Sequence, residues 1–147
     1  MTAIKGFFGD YRFLSNFYES PVTIDKITYP TVEHYYQAMK AFNLEDHDWV
    51  KEAPTPGLAK YRGKRVAVRE DWEKVKVTKM EIGLTAKFDQ HENLKKLLMD
   101  TEYAELEETN QWNDTFWGVC RNEGKNMLGV LLMQIRAGYR LQKAIYG

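Results

Sequence analysis

Three features of the 147-residue chain predict an α+β fold, predominantly helical, with a small antiparallel sheet near the N-terminus. Apolar residues recur at helical spacing in segments 32–42, 71–88 and 126–143, whereas the first thirty residues hold short β-type runs. No internal repeat, low-complexity tract or Pro/Gly-rich linker divides the sequence, so residues 1–147 are read as a single domain. Folding at this length hides roughly two-thirds of the surface an unfolded chain exposes, enough for a core without staples.

Taken in order, "KGFFGD" and "SPVTIDKITYP" read as short strands, the second as a hairpin in which Val22, Ile24 and Ile27 flank "DK". Pro30 ends this region. Thr31 offers an N-cap hydroxyl to a helix whose apolar positions are Val32, Tyr35, Tyr36, Met39 and Phe42. "EAPTPGLAK" breaks the pattern before a short helix carrying Lys60. A longer helix starts near Asp71, with Val77, Met80, Leu84 and Phe88 on one face; Gly83 inside it costs about 1 kcal/mol against Ala. "HENLKKLLMD" reads as another helix, and the last spans about Asn126 to Lys143 with Leu128, Leu131, Leu132, Ile135 and Tyr139 facing inward.

Composition removes several function classes. The single Cys120 excludes an internal disulfide framework and a multi-cysteine metal site, and suits a reducing, cytoplasmic setting. No stretch approaches the roughly 18 apolar residues of a membrane span, and the N-terminus lacks a targeting pattern, so no membrane partner is expected. A net charge of zero argues against an extended grip on duplex nucleic acid. The charge is nevertheless uneven: residues 60–69 hold five bases and no acid, residues 100–108 five acids and no base. Solvated helix faces account for such runs more often than binding does.

On a helix, Glu33, Gln37 and Lys40 fall within about 60° of one another, opposite Val32, Tyr35, Met39 and Phe42. Periodicity alone favours a wet face carrying a weak Glu33–Gln37 pair. The neighbouring motifs favour a site wall instead. "RFLSNFYES" sets Arg12, Ser15 and Asn16 among aromatic and aliphatic residues, a composition that suits a pocket with few convergent polar groups. "NDTFWGVC" and "EGKNMLG" add Asp114, Trp117 and Asn126 beside glycines, Gly118 among them, that let backbone approach a ligand. Core packing for Trp117 and helix capping for Asn126 are the alternatives.

Together "FLSNFY", "YPTVEHYYQAMKA", "TPGLAKYRG", "DWEKVK", "AKF", "FWGVC" and "EGKNMLGVLLMQIR" resemble, in order and spacing, the NADAR (YbiA-like) family, nearly end to end. The resemblance implies a mostly helical α+β domain acting as an N-glycosidase. Its substrate would be ADP-ribosylated guanine in DNA or RNA, or a phosphoribosyl small molecule of the riboflavin pathway; a catalytically weak module that binds ADP-ribose is the alternative from another class. Cleaving a bond between ribose C1 and nitrogen builds positive charge on the sugar and negative charge on the base. Glu33, matching the family's "VEH" glutamate, is the first candidate carboxylate, and Asp114 the second. Lys40, matching the lysine of "QAxK", is the candidate nucleophile through a Schiff base, which requires a neutral amine. Burial, or basic neighbours such as Lys60 or Arg62, would favour that form; an ionised Glu33 would oppose it. Arg12, Lys60, Arg62 and Lys64 are candidates for phosphates, Trp72 or Trp117 for stacking, and Ser15, Asn16, Gln37, Gly118 and Asn126 for the remaining substrate contacts. No cofactor or metal is required, and His34, His47 and His91 lack ligand spacing. Cys120 departs from the family's "WGxG" pattern, which leaves open whether that loop needs a glycine's backbone.

Overall fold

A computed structural model of the chain describes residues 2–147. Two compact units make it up: Asn16–His91, and the segment ending at Ser15 together with Glu92–Gly147. Helices dominate both, with strands of only two or three residues.

The unit Asn16–His91 opens with the expected hairpin. Strands β1 (Val22–Ile24) and β2 (Ile27–Tyr29) pair antiparallel, Val22 opposite Tyr29 and Ile24 opposite Ile27. Asp25 and Lys26 both take positive φ, 52° and 68°, the backbone of a two-residue turn whose twist matches its strands. Helix α1 (Val32–Met39) begins where Thr31 turns its hydroxyl oxygen to accept from the His34 amide at 3.1 Å. Helices α2 (Leu44–Lys51) and α3 (Pro56–Gly63) start in the same way, on Asn43 and Thr55, the latter with Pro at a first-turn position. The long α4 (Trp72–Gln90) completes the unit.

Helix α1 packs against α2, α3 and α4, and every residue from Val32 to Ala38 is buried. A helix enclosed on several sides has no wet face to spend its polar residues on. Gly83 sets the approach of α4, since a Cβ there would come within 2.9 Å of Tyr35 Cδ2 and 3.2 Å of Val32 Cγ1. The position that propensity marks as a weakness is therefore a contact point. Phe42 does not continue the apolar face of α1. The helix stops at Met39, Ala41 bridges antiparallel to Val68, and Phe42 N–H donates to Ala67 O at 2.9 Å, leaving the ring 69% exposed. A backbone ladder outcompetes another half-turn of helix there.

In the other unit, β3 (Ala3–Lys5) pairs parallel with β4 (Glu105–Glu107), Ile4 opposite Leu106. A 3-10 helix follows at Gly9–Leu14. Helix α5 (Glu92–Asp100) precedes β4, and β5 (Thr109–Asn110) pairs parallel with β6 (Val119–Cys120) before α6 (Met127–Tyr146). Its buried apolar residues include Leu94, Leu98, Leu106, Leu128, Leu131 and Leu132. Arg136 is buried within it, its guanidinium donating to Ala104 O and Thr101 Oγ1, both at 2.8 Å. The antiparallel sheet near the N-terminus is thus a single hairpin, and the strands after residue 100 are too short to print an alternating pattern. Among the described residues no helix is long and apolar enough to cross a membrane.

Candidate active site

The polar stripe of α1 lies in the interior. Glu33 and Gln37 are each 7% exposed, and Gln37 Nε2 donates to Glu33 Oε2 at 2.7 Å. Such a pair on a solvated helix is worth a few tenths of a kcal/mol, whereas a buried bond to a carboxylate is among the stronger kinds. The entry into α1 is held by Asn16, whose carbonyl accepts from Glu33 N–H at 3.1 Å and whose Nδ2 lies 3.3 Å from Met80 Sδ on α4. The side-chain carbonyl oxygens of Asn16 and Gln37 are buried and, among the described residues, accept no hydrogen bond. Each is an acceptor with bonding capacity left for a donor from outside the chain.

Lys40 follows the last turn of α1 and is half-buried. Its backbone carbonyl accepts from Arg69 N–H at 2.9 Å, fixing the exit of the helix to the strand-like segment after α3. The ammonium is held below the ordinary lysine range, first by burial, with Glu33 opposing and Lys64 assisting. The neighbour that favours the free amine is therefore Lys64, rather than the Lys60 or Arg62 that the sequence suggests.

The remaining candidates in this unit have definite surroundings. Arg62 donates through Nη1 to Trp49 O at 2.8 Å and lies 5.0 Å over the Trp49 ring, tying α3 to α2. Lys60 is half-buried on α3. Trp72 is buried, its ring 5.0 Å from that of Tyr36. Stacking on a ligand would require that ring to leave the core, so Trp72 reads as packing.

His34, next to Glu33 in sequence, is structural. Its Nε2–H donates to Ala53 O at 2.9 Å, which leaves Nδ1 to accept from the Thr31 hydroxyl at 2.8 Å. Burial holds it below the usual imidazole range. Lys87, in the "AKF" motif, is a residue that pattern reading passes over. Its side chain is wholly buried and burial pushes its amine down to about 7.

Arg12, Ser15, Asp114, Trp117, Gly118 and Asn126 belong to the other unit. Arg12 is exposed and Ser15 half-buried. Asp114 Oδ1 accepts from the amides of Phe116 at 3.2 Å and Trp117 at 2.9 Å, which orders the "TFWG" turn. Trp117 is half-buried with its ring edge-on to Phe116, 4.9 Å away. Gly118 faces its own chain, because a Cβ would come within 2.7 Å of Asn110 Nδ2 and overlap Glu108 O. Asn126 spends both ends of its amide on backbone, donating to Leu106 O at 2.9 Å and accepting from Glu108 N–H at 3.0 Å. It precedes α6 with φ of 53°, and its backbone carbonyl accepts from Val130 N–H at 2.9 Å while its side chain makes no capping bond. Cys120 lies in β6, outside the left-handed region, which Arg121 and Asn122 occupy instead. A glycine is not required at that position.

Comparison with known proteins joins these observations. The NADAR domain model matches residues 6–140. The chain is 39% identical over 137 residues to N-glycosidase YbiA of Shigella flexneri serotype 5b, covering 91% of this chain and 85% of that one. It is 38% identical over 126 residues to the chloroplastic riboflavin biosynthesis protein PYRR of Zea mays, covering 77% of this chain and 20% of that one. The NMR structure of E. coli YbiA superposes with a TM-score of 0.89 at 36% identity, over 99% of this chain and 89% of that one. The chain belongs to the NADAR family.

Proposed function

We propose that this protein hydrolyses an N-glycosidic bond of ADP-ribosylated guanine in nucleic acid, with Lys40 as nucleophile and Glu33 as the carboxylate beside it. Two relatives described above carry the names N-glycosidase and riboflavin biosynthesis protein, and the enzyme class that follows is a hydrolase acting on N-glycosyl bonds. The observation that carries the residue assignment is the environment of Lys40: half-buried, within the field of Glu33, and pushed toward its free amine by burial and Lys64 against that field.

The free amine attacks ribose C1 while the bond from C1 to the base nitrogen breaks, its electron pair leaving with the base, which takes up a proton. Ring opening leaves the sugar as an imine on Nζ. Water then adds across that imine, releasing the sugar and restoring the lysine. Glu33 stabilises the charge that develops at C1 and relays the protons. None of these steps calls for a cofactor. The single, buried, unpaired Cys120 is consistent with work in a reducing cytoplasm.

The test is mass spectrometry of an oligonucleotide ADP-ribosylated on guanine, incubated with wild type and with Lys40→Ala, with and without borohydride. Restoration of the unmodified oligonucleotide by wild type, together with a reduced adduct on Lys40, is the expected result. Turnover without an adduct would replace the imine by an oxocarbenium route in which Lys40 binds the ribose or phosphate. The second reading, a phosphorylated riboflavin-pathway intermediate as substrate, is favoured by the name of the Zea mays relative. It predicts release of the free base from that intermediate and no change in the oligonucleotide. Binding of ADP-ribose without turnover of either would leave a binding module.

A further inference from the structure

We infer that Gly63 and Gln37 act as one device that aims the Glu33 carboxylate, making both positioning residues for the reaction. The inference rests on the N-glycosidase reading above. Gln37 is the only member of the α1 stripe whose side chain can both give and accept a hydrogen bond, and its two ends do different things. The amide nitrogen donates to Glu33 Oε2 at 2.7 Å. That orientation is dictated by chemistry, since turning the amide over would set two oxygens against each other.

The other end then has one place to go. Gln37 Oε1 lies against Gly63, the last residue of α3, and a Cβ on Gly63 would overlap that oxygen and come within 2.9 Å of Gln37 Cδ and 3.1 Å of Gln37 Cβ. Gly63 is buried and its φ lies outside the left-handed region, so neither a turn nor backbone strain calls for glycine there. The requirement is room for the Gln37 amide. Among the described residues none donates to that oxygen, so this end of the amide is placed by room alone, while the nitrogen end is held by its bond to Glu33. α3 contributes through this absence of a side chain, and through Lys64, the next residue, to the charge at Lys40. One helix end therefore bears on the direction of the carboxylate and, beside the larger effect of burial, on the readiness of the amine.

A substrate contact and a positioning role separate kinetically. Loss of a contact raises KM, whereas loss of aim lowers kcat with KM little changed. Misplacement by about 1 Å costs roughly 100-fold, so Gln37→Met, Gln37→Ala and Gly63→Ala are each expected to lower kcat by about 10- to 100-fold. The decisive comparison is the double variant. If Gly63 acts only through Gln37, adding Gly63→Ala to Gln37→Ala changes kcat by less than about twofold. Circular dichroism and thermal melts establish that each variant is folded, and Gln37→Met keeps most of the buried volume should Gln37→Ala fail that check. Activity abolished in Glu33→Gln but unchanged in Gln37→Met and Gly63→Ala overturns the inference alone. So does a loss that multiplies in the double variant. A wild type inactive on both substrate classes, or a fully active Glu33→Gln, overturns the reading beneath and the inference with it.

Discussion

Nζ of Lys87 lies 5.7 Å from the centre of the Tyr18 ring and 5.3 Å from that of Phe88, on a side chain with no exposed surface. Burial pushes its amine down to about 7, while in the unfolded chain a lysine titrates at about 10.4. Between those values the unfolded state binds more protons, so stability rises with pH across that window and the gain is absent below it. Urea unfolding from pH 7 to 10 is expected to show an upward slope of at most about 1.4 kcal/mol per pH unit that Lys87→Met removes. Equal slopes in the two proteins would refute the assignment.

Lys64 should shift the pH at which the enzyme works, on top of the larger effect of burial. Its charge favours the free amine of Lys40, so Lys64→Gln lets Lys40 hold its proton to higher pH. The rate at neutral pH falls and the ascending limb of the pH profile moves to the alkaline side. Lys64 is exposed, so added salt should move the wild-type profile in the same direction by screening the pair. A profile unchanged by both would mean another group governs the limb.

His34 acts in the same direction as Lys87, in a lower pH window. Its folded-state value is held down, chiefly by burial, so the neutral ring contributes fully above the unfolded value of about 6.5. As pH falls below that, the unfolded chain takes up the proton first and the contribution is lost. Melting curves of wild type and His34→Gln are expected to converge between pH 7.5 and 5. Curves that keep a constant separation would mean His34 stays satisfied when charged.

Gly83→Ala tests a contest between propensity and packing. Alanine is worth about 1 kcal/mol more in a helix interior, yet its Cβ would press on Tyr35, which is itself buried and edge-on to Tyr29 at 5.2 Å. Overpacking of this kind costs about 1–3 kcal/mol, so a net loss of stability is expected in chemical denaturation. A gain would show that α1 and α4 can part without penalty.

Much of the helical frame was readable from spacing and caps. Thr31, with "DK" before it, marks the start of α1 and the hairpin, because N-caps and two-residue turns are written in adjacent residues. α2 escapes such reading, since Leu44–Lys51 carries four charged residues and a single aromatic, with too few apolar positions to show a period. The site divides along the same line. Glu33 and Gln37 lie on α1 and Lys40 caps its C-terminus in helical backbone, so their grouping follows from 100° per residue. That Asn126 bonds to Leu106 and Glu108, or that Gly63 receives the Gln37 amide, depends on elements brought together from 18 to 26 positions away. No local pattern records such contacts.

The parallel pairing of β3 with β4 joins Ala3 to Glu105. In a chain made from its N-terminus, the first strand must therefore wait for about a hundred further residues before its partner exists. The unit Asn16–His91 is continuous and closes on itself within that interval. Assembly accordingly has a built-in order, with the hairpin and α1 to α4 consolidating first and the ends of the chain joining last, because closing the longest loop is repaid only when β4 arrives. Pulse-labelled hydrogen exchange during refolding should find amides of α1 and α4 protected before that of Ile4, and simultaneous protection would deny the order. The residues proposed to carry the chemistry sit in the unit that is finished first, and the two ends of the chain meet only afterwards.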